Sequence, residues 1–155
     1  MYLRESERYK PKGKDHAEAR RIAFKIAQEN GGKFIDGHDH VDVIAGAGTI
    51  ALEILEEVKD VDAILVPVGG AGLLGGISVA VKQTSPKTKV IGLESEASPS
   101  FSAALKAGHP VTIKIQPSLA ASLAVSRVGY NSFNIAKGQF LPFLHILETR
   151  SCSSV

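Results

Sequence analysis

Val68-Gly69-Gly70-Ala71-Gly72-Leu73-Leu74-Gly75-Gly76 is the segment of this chain best suited to hold an anion. Glycines let the backbone approach a ligand closely, and the unpaired N–H groups of a helix's first turn point at it. The ligand most often held this way is a phosphate. What carries that phosphate decides the function.

The elements that must position this loop can be read on either side of it. Ala63 to Val68 is a continuous apolar run and is predicted to be a buried strand. After the loop, Ile77, Val79, Ala80 and Val81 predict a helix that stops near Ser85-Pro86. Val90-Ile91-Gly92-Leu93 is the next strand, ending at Glu94, and Pro99 starts a helix closed by Gly108-His109-Pro110. Val111 to Ile115 is expected to be short and extended.

Upstream, Asp15 with Glu18 forms a capping-box pattern, and Ala19, Ile22, Ala23, Ile26 and Ala27 fall on one helical stripe ended by Asn30-Gly31-Gly32. Lys33-Phe34-Ile35 reads as a short strand and Gly37 to Asp42 as a polar loop. Val43-Ile44-Ala45 and Gly46-Ala47-Gly48 follow, and Ile50, Leu52, Ile54 and Leu55 then predict a helix reaching about Lys59. Helices thus alternate with strands that are apolar throughout rather than every second residue. The expected class is α/β, a parallel sheet with helices on both faces.

The 155 residues suffice for one domain with a core, and 44% hydrophobic against 22% charged residues places the chain among globular proteins. The net charge of +2 gives no argument for a nucleic-acid partner. Residues 1–33 carry nine Lys/Arg against five Asp/Glu, read as a solvated helix face behind a flexible basic arm, 1–14, because no aromatic platform accompanies the charge. A single cysteine, Cys152, excludes an internal disulfide, and no apolar run approaches a membrane span. The charged N-terminus lacks the apolar core of a signal peptide. A cytoplasmic protein with no membrane partner is expected.

Gly70-Ala71-Gly72-Leu73-Leu74-Gly75 also matches the dinucleotide pattern G-x-G-x-x-G, and Glu94 stands 24 residues after Gly70, near the place of a ribose-binding carboxylate. Two features weigh against a dinucleotide. The fingerprint usually opens the first strand–helix–strand unit, whereas a full helix–strand–helix precedes it here. The glycines are also denser than that motif requires, which suits a compact nest of backbone amides.

Four segments in order carry a family resemblance: Asp42-Val43-Ile44-Ala45-Gly46-Ala47-Gly48-Thr49-Ile50-Ala51-Leu52-Glu53-Ile54, Val68 to Leu73, Val90-Ile91-Gly92-Leu93-Glu94, and Ser118-Leu119-Ala120-Ala121-Ser122-Leu123-Ala124-Val125. Together, over roughly Lys14 to Lys137, the chain resembles the threonine/serine dehydratases and serine racemases, fold-type II enzymes that use pyridoxal phosphate. The resemblance implies that Gly69, Gly70, Ala71, Gly72 and Leu73 bind the cofactor phosphate through their amides. Ala71 stands where the pattern has glycine, and its methyl is tolerated only if the backbone there avoids positive φ. The implied chemistry is loss of the β-hydroxyl of an amino-acid substrate as water, followed by hydrolysis to a 2-oxo acid and ammonia, so that the net loss is ammonia alone.

The resemblance also says what to miss. The family's lysine, which anchors the cofactor covalently, lies in a Ser-x-Lys-type motif upstream of all four segments, and none of the lysines here stands in such a motif. A hydroxyl against the pyridine nitrogen belongs to a segment after the match, where this sequence diverges from Gln139 on. The family's Ala-Asp-Gly reads Ala120-Ala121-Ser122. Members that hold a divalent cation pair a Glu with an Asp six residues on; Glu94 fits the first position, but Ser100 occupies the second, which weakens a hard-cation site. Glu94 is therefore read first as a helix-start carboxylate and second as a metal ligand.

The expectation is a dehydratase-like domain over 15–138, an incomplete fold-type II large domain followed by a divergent tail, 139–155. It keeps the phosphate half-site, lacks activity alone, and self-associates or pairs with a partner chain through exposed sheet. A non-catalytic binding or regulatory protein on the same scaffold is the alternative, and a dinucleotide module the lesser one. His38-Asp39-His40 has two imidazoles in metal-ligand spacing but is read first as a turn.

Overall fold

A computed structural model describes residues 16–139 and the backbone of 143–146. The expected basic arm, the Asp15 cap and most of the tail lie outside the described residues. Two compact units divide the chain at Ile35–Asp36.

The described part of the first unit is helix α1, His16–Glu29, and the segment after it. Ala19, Ile22, Ile26 and Ala27 are half-buried, as the stripe predicts, whereas Ala23 is exposed. Phe34 meets Phe24 edge-on with centroids 6.0 Å apart, and the guanidinium of Arg20 lies 5.8 Å from the Phe34 centroid. Lys33-Phe34-Ile35 forms no strand, contrary to expectation. Phe34 serves this aromatic contact instead, and Ile35 is exposed.

The second unit holds a parallel sheet in the order β1-β2-β3, with β1 at Ala63–Pro67, β2 at Lys89–Ser95 and β3 at Phe143–Ile146. Its helices are α2 (Val41–Glu57), α3 (Gly72–Thr84), α4 (Ser100–Ala107) and α5 (Tyr130–Lys137). β3 falls in the tail expected to diverge, and it extends the sheet.

α2 begins at Val41, earlier than the apolar periodicity suggested, and runs through Gly46 and Gly48. Glycine in a helix interior costs about 1 kcal/mol against alanine. The return is a close crossing: a Cβ on Gly76 of α3 would stand 2.7 Å from the Gly48 amide nitrogen. The two helices therefore pack backbone to backbone. Ile64 and Val66 on the inner face of β1, with Val68 just after it, join Leu74, Ile77, Val81, Phe101 and Phe133 in one core. The alternate residues of β1 face outward, and Leu65 is 55% exposed. Val111 to Ile115 forms no strand, but the Ile113 amide bonds the Ser126 carbonyl at 2.9 Å.

Candidate phosphate-binding site

β1 ends where the Val68 amide donates to the Leu93 carbonyl at 2.9 Å, and the chain leaves the sheet at the carboxyl end of the strands. That end is where open α/β sheets bind ligands. Gly69 to Ala71 turn the chain, and α3 starts at Gly72. Gly70, Ala71, Gly72 and Leu74 are buried, while Gly69 and Leu73 are partly open.

The turn is walled by segments far away in sequence. The ring of His38 packs on Gly70, where any side chain would collide with it. A Cβ on Gly69 would lie 3.4 Å from the Ser122 carbonyl oxygen and 3.3 Å from Val125 Cγ2. The Gly129 amide donates to the Gly70 carbonyl at 3.1 Å. The segments singled out at 42–54 and 118–125 thus pack onto α3 and the loop at 68–73, and the Val68–Leu93 bond joins the start of that loop to the segment at 90–94.

Helix starts separate this loop from the rest of the unit. α2 is capped by His40, whose Nδ1 accepts from the Asp42 amide at 3.3 Å. α4 is capped by Glu94, fully buried, whose Oε1 accepts from the Phe101 amide at 2.6 Å and whose Oε2 accepts from the Ser102 amide and hydroxyl at 3.0 and 2.6 Å. α5 is capped by Asp39, which accepts from the amides of Tyr130 at 3.0 Å and Ser132 at 2.9 Å. α3 alone of these four receives no side-chain cap. Among the described residues the amides from Gly69 to Leu73 have no acceptor. Buried unpaired donors cost about 1–3 kcal/mol each, and an anion would satisfy several at once.

Ala71 holds φ 72°, ψ 2°, the left-handed region that glycine adopts without penalty. The condition set on its methyl from sequence is therefore not met, and the residue carries strain inside the loop.

The histidine-rich loop divides its work. Asp39 caps α5, His40 caps α2, and His38 Nδ1 stands 3.4 Å from Asp36 Oδ1. Among the described residues no group of three or more His, Cys, Asp or Glu side chains converges as a metal site. At Glu94 three donors already occupy the carboxylate, and the residue in the second cation position, Ser100, is buried with a hydroxyl that bonds nothing. One engaged carboxylate and one neutral hydroxyl do not fit a hard divalent cation. Sequence reasoning missed α5 and the part Asp39 plays at its start. The signals were Gly129 before a helix-forming run and a carboxylate in a loop without local work.

A family profile described as "Pyridoxal-phosphate dependent enzyme" matches residues 4–153. The chain is 42% identical to an L-threonine ammonia-lyase of Thermotoga maritima over 120 residues, 77% of this chain and 30% of that protein. It is 41% identical to the biosynthetic L-threonine dehydratase IlvA of Escherichia coli over 125 residues, 81% of this chain and 24% of that protein. The processed threonine deaminase isoform 2 of Solanum lycopersicum superposes with a TM-score of 0.79 at 36% identity, covering 87% of this chain and 39% of that structure. The chain therefore spans less than a third of the length of these curated relatives. The uncapped glycine turn at the end of β1 and these matches lead to one assignment: the chain belongs to the fold-type II pyridoxal-phosphate-dependent enzymes, on the threonine dehydratase side.

Proposed function

We propose that this chain is the phosphate-binding portion of a serine/threonine dehydratase-like protein. The amides of Gly69, Gly70, Ala71, Gly72 and Leu73 would hold the phosphate of pyridoxal phosphate. The single observation that carries the reading is that α3 is the helix without an internal cap, at the carboxyl end of the sheet, in a chain of this family.

The cofactor, when bound, supplies the electron sink for reactions at an amino acid's α-carbon. The residues here do less than that. The loop amides and the positive end of α3 neutralise the phosphate and fix its position. The loop 36–40 and the segment 122–125 shape the walls. Glu94 holds α4, and no step depends on a cation. None of the lysines stands in the family's anchoring motif, so the chain alone should not release ammonia from threonine or serine. The amino-acid substrate, the cytoplasmic setting and the partner or second copy that completes the sheet are carried over from the family and from the exposed β1.

The test is a titration of purified protein with pyridoxal phosphate, followed by borohydride and by an ammonia assay with threonine and serine. Phosphate-competitive binding, no cofactor fixed to lysine and no ammonia are expected. Ammonia release would overturn the inactivity. Tight binding of a nicotinamide dinucleotide in place of pyridoxal phosphate would overturn the assignment of the loop.

A further inference from the structure

We infer that His38 is a cationic anion ligand of the glycine loop, held for that role by Asp36; the inference rests on the loop being a phosphate site. The imidazole is part of the wall itself, because its ring occupies the space over Gly70. Its backbone is fixed as well: the His38 amide donates to Asp36 Oδ1 at 3.1 Å, and the His38 carbonyl accepts from the Ser132 hydroxyl. The ring keeps partial access to solvent, with 21% of the side chain exposed, so it can exchange protons.

Asp36 Oδ1 lies 3.4 Å from Nδ1 and is 11% exposed, which orients the ring. With imidazole neutral, the pair presents one net negative charge beside the unpaired amides. With imidazolium, the pair is neutral. An anion entering the loop therefore favours the protonated ring whichever edge it meets. The other charged groups on this loop are Asp39 and His40, and both are engaged at helix starts. Among the described contacts the ring packs on Gly70, while Gly72 and Ser132 meet the His38 backbone, and none of these three titrates near neutrality. The sign follows directly. Anion affinity is high below the imidazole range and falls as pH rises through it.

Sulfate is the probe, since it stays a dianion from pH 5.5 to 8.5 whereas phosphate changes charge in that window. Sulfate is titrated into 15N-labelled full chain, and the amide signals of Gly69 to Leu73 are followed at both ends of the window. The wild type is expected to bind sulfate about tenfold more weakly at pH 8.5. H38Q and H38N, checked for folding by circular dichroism, should bind with one affinity at both pH values. A pH-independent affinity in the wild type overturns the role of His38, as does an unchanged pH dependence in either folded variant. Sulfate that leaves these amides unmoved at both pH values overturns the loop as an anion site, a separate failure.

Discussion

The carbonyl oxygen of His38 stands 2.5 Å from where a Cβ on Gly72 would be, and the Cα of His38 stands 3.0 Å from it. The obstacle is backbone, already tied down through Ser132 and Asp39 to the start of α5. G72A must therefore push the loop 36–40 off the start of α3. We expect a loss of about 1–3 kcal/mol in stability and of phosphate binding. Chemical denaturation of the variant checks it; a stability equal to wild type would contradict the packing described.

Ala71 gives the opposite expectation. Its left-handed backbone costs an L-residue about 1–2 kcal/mol, and glycine removes most of that. A71G should raise stability by about 1 kcal/mol and tighten phosphate binding, since the loop no longer stores strain. Equal melting temperatures for A71G and the wild type would sink this reading.

Two carboxylates, the buried Glu94 and the half-buried Asp39, work as helix caps, and each should be costly to lose. D39A removes two bonds to amides of α5, and E94Q breaks the three-donor arrangement at α4. Each substitution should destabilise by about 2 kcal/mol. Because Glu94 caps a helix, a chelator should leave the wild-type melting temperature unchanged; a clear drop on adding EDTA would instead indicate a cation at this carboxylate.

β1 is an edge of the described sheet, and its outward residue Leu65 is 55% exposed. Pro67 offers no outward donor, but Ala63 and Leu65 do. Concentration-dependent self-association is expected in sedimentation velocity, and L65K should reduce it. A wild type that sediments as a monomer at all concentrations contradicts the account of this edge.

What could be read from sequence was what local rules decide. The apolar run Ala63 to Val68 followed by glycines specified strand, turn and helix start before any packing was known. The run Val90 to Leu93 likewise gave β2. What escaped depended on distance along the chain. Phe34 and Ile35 have strand-forming side chains but no neighbouring strand, so they stay irregular. Gly46 and Gly48 look like breakers, yet they sit inside α2 because Gly76 of α3 crosses there. The carboxylate of Asp39 meets α5 from 91 and 93 residues away, and no local pattern announces it.

The central claim is that the chain holds the phosphate end of pyridoxal phosphate and little else of it. Calorimetric titration with pyridoxal phosphate, and in parallel with pyridoxal, tests it most directly. The account predicts saturable binding of pyridoxal phosphate that inorganic phosphate displaces, and no measurable binding of pyridoxal. Equal affinity for the two, or binding that phosphate does not displace, would contradict it.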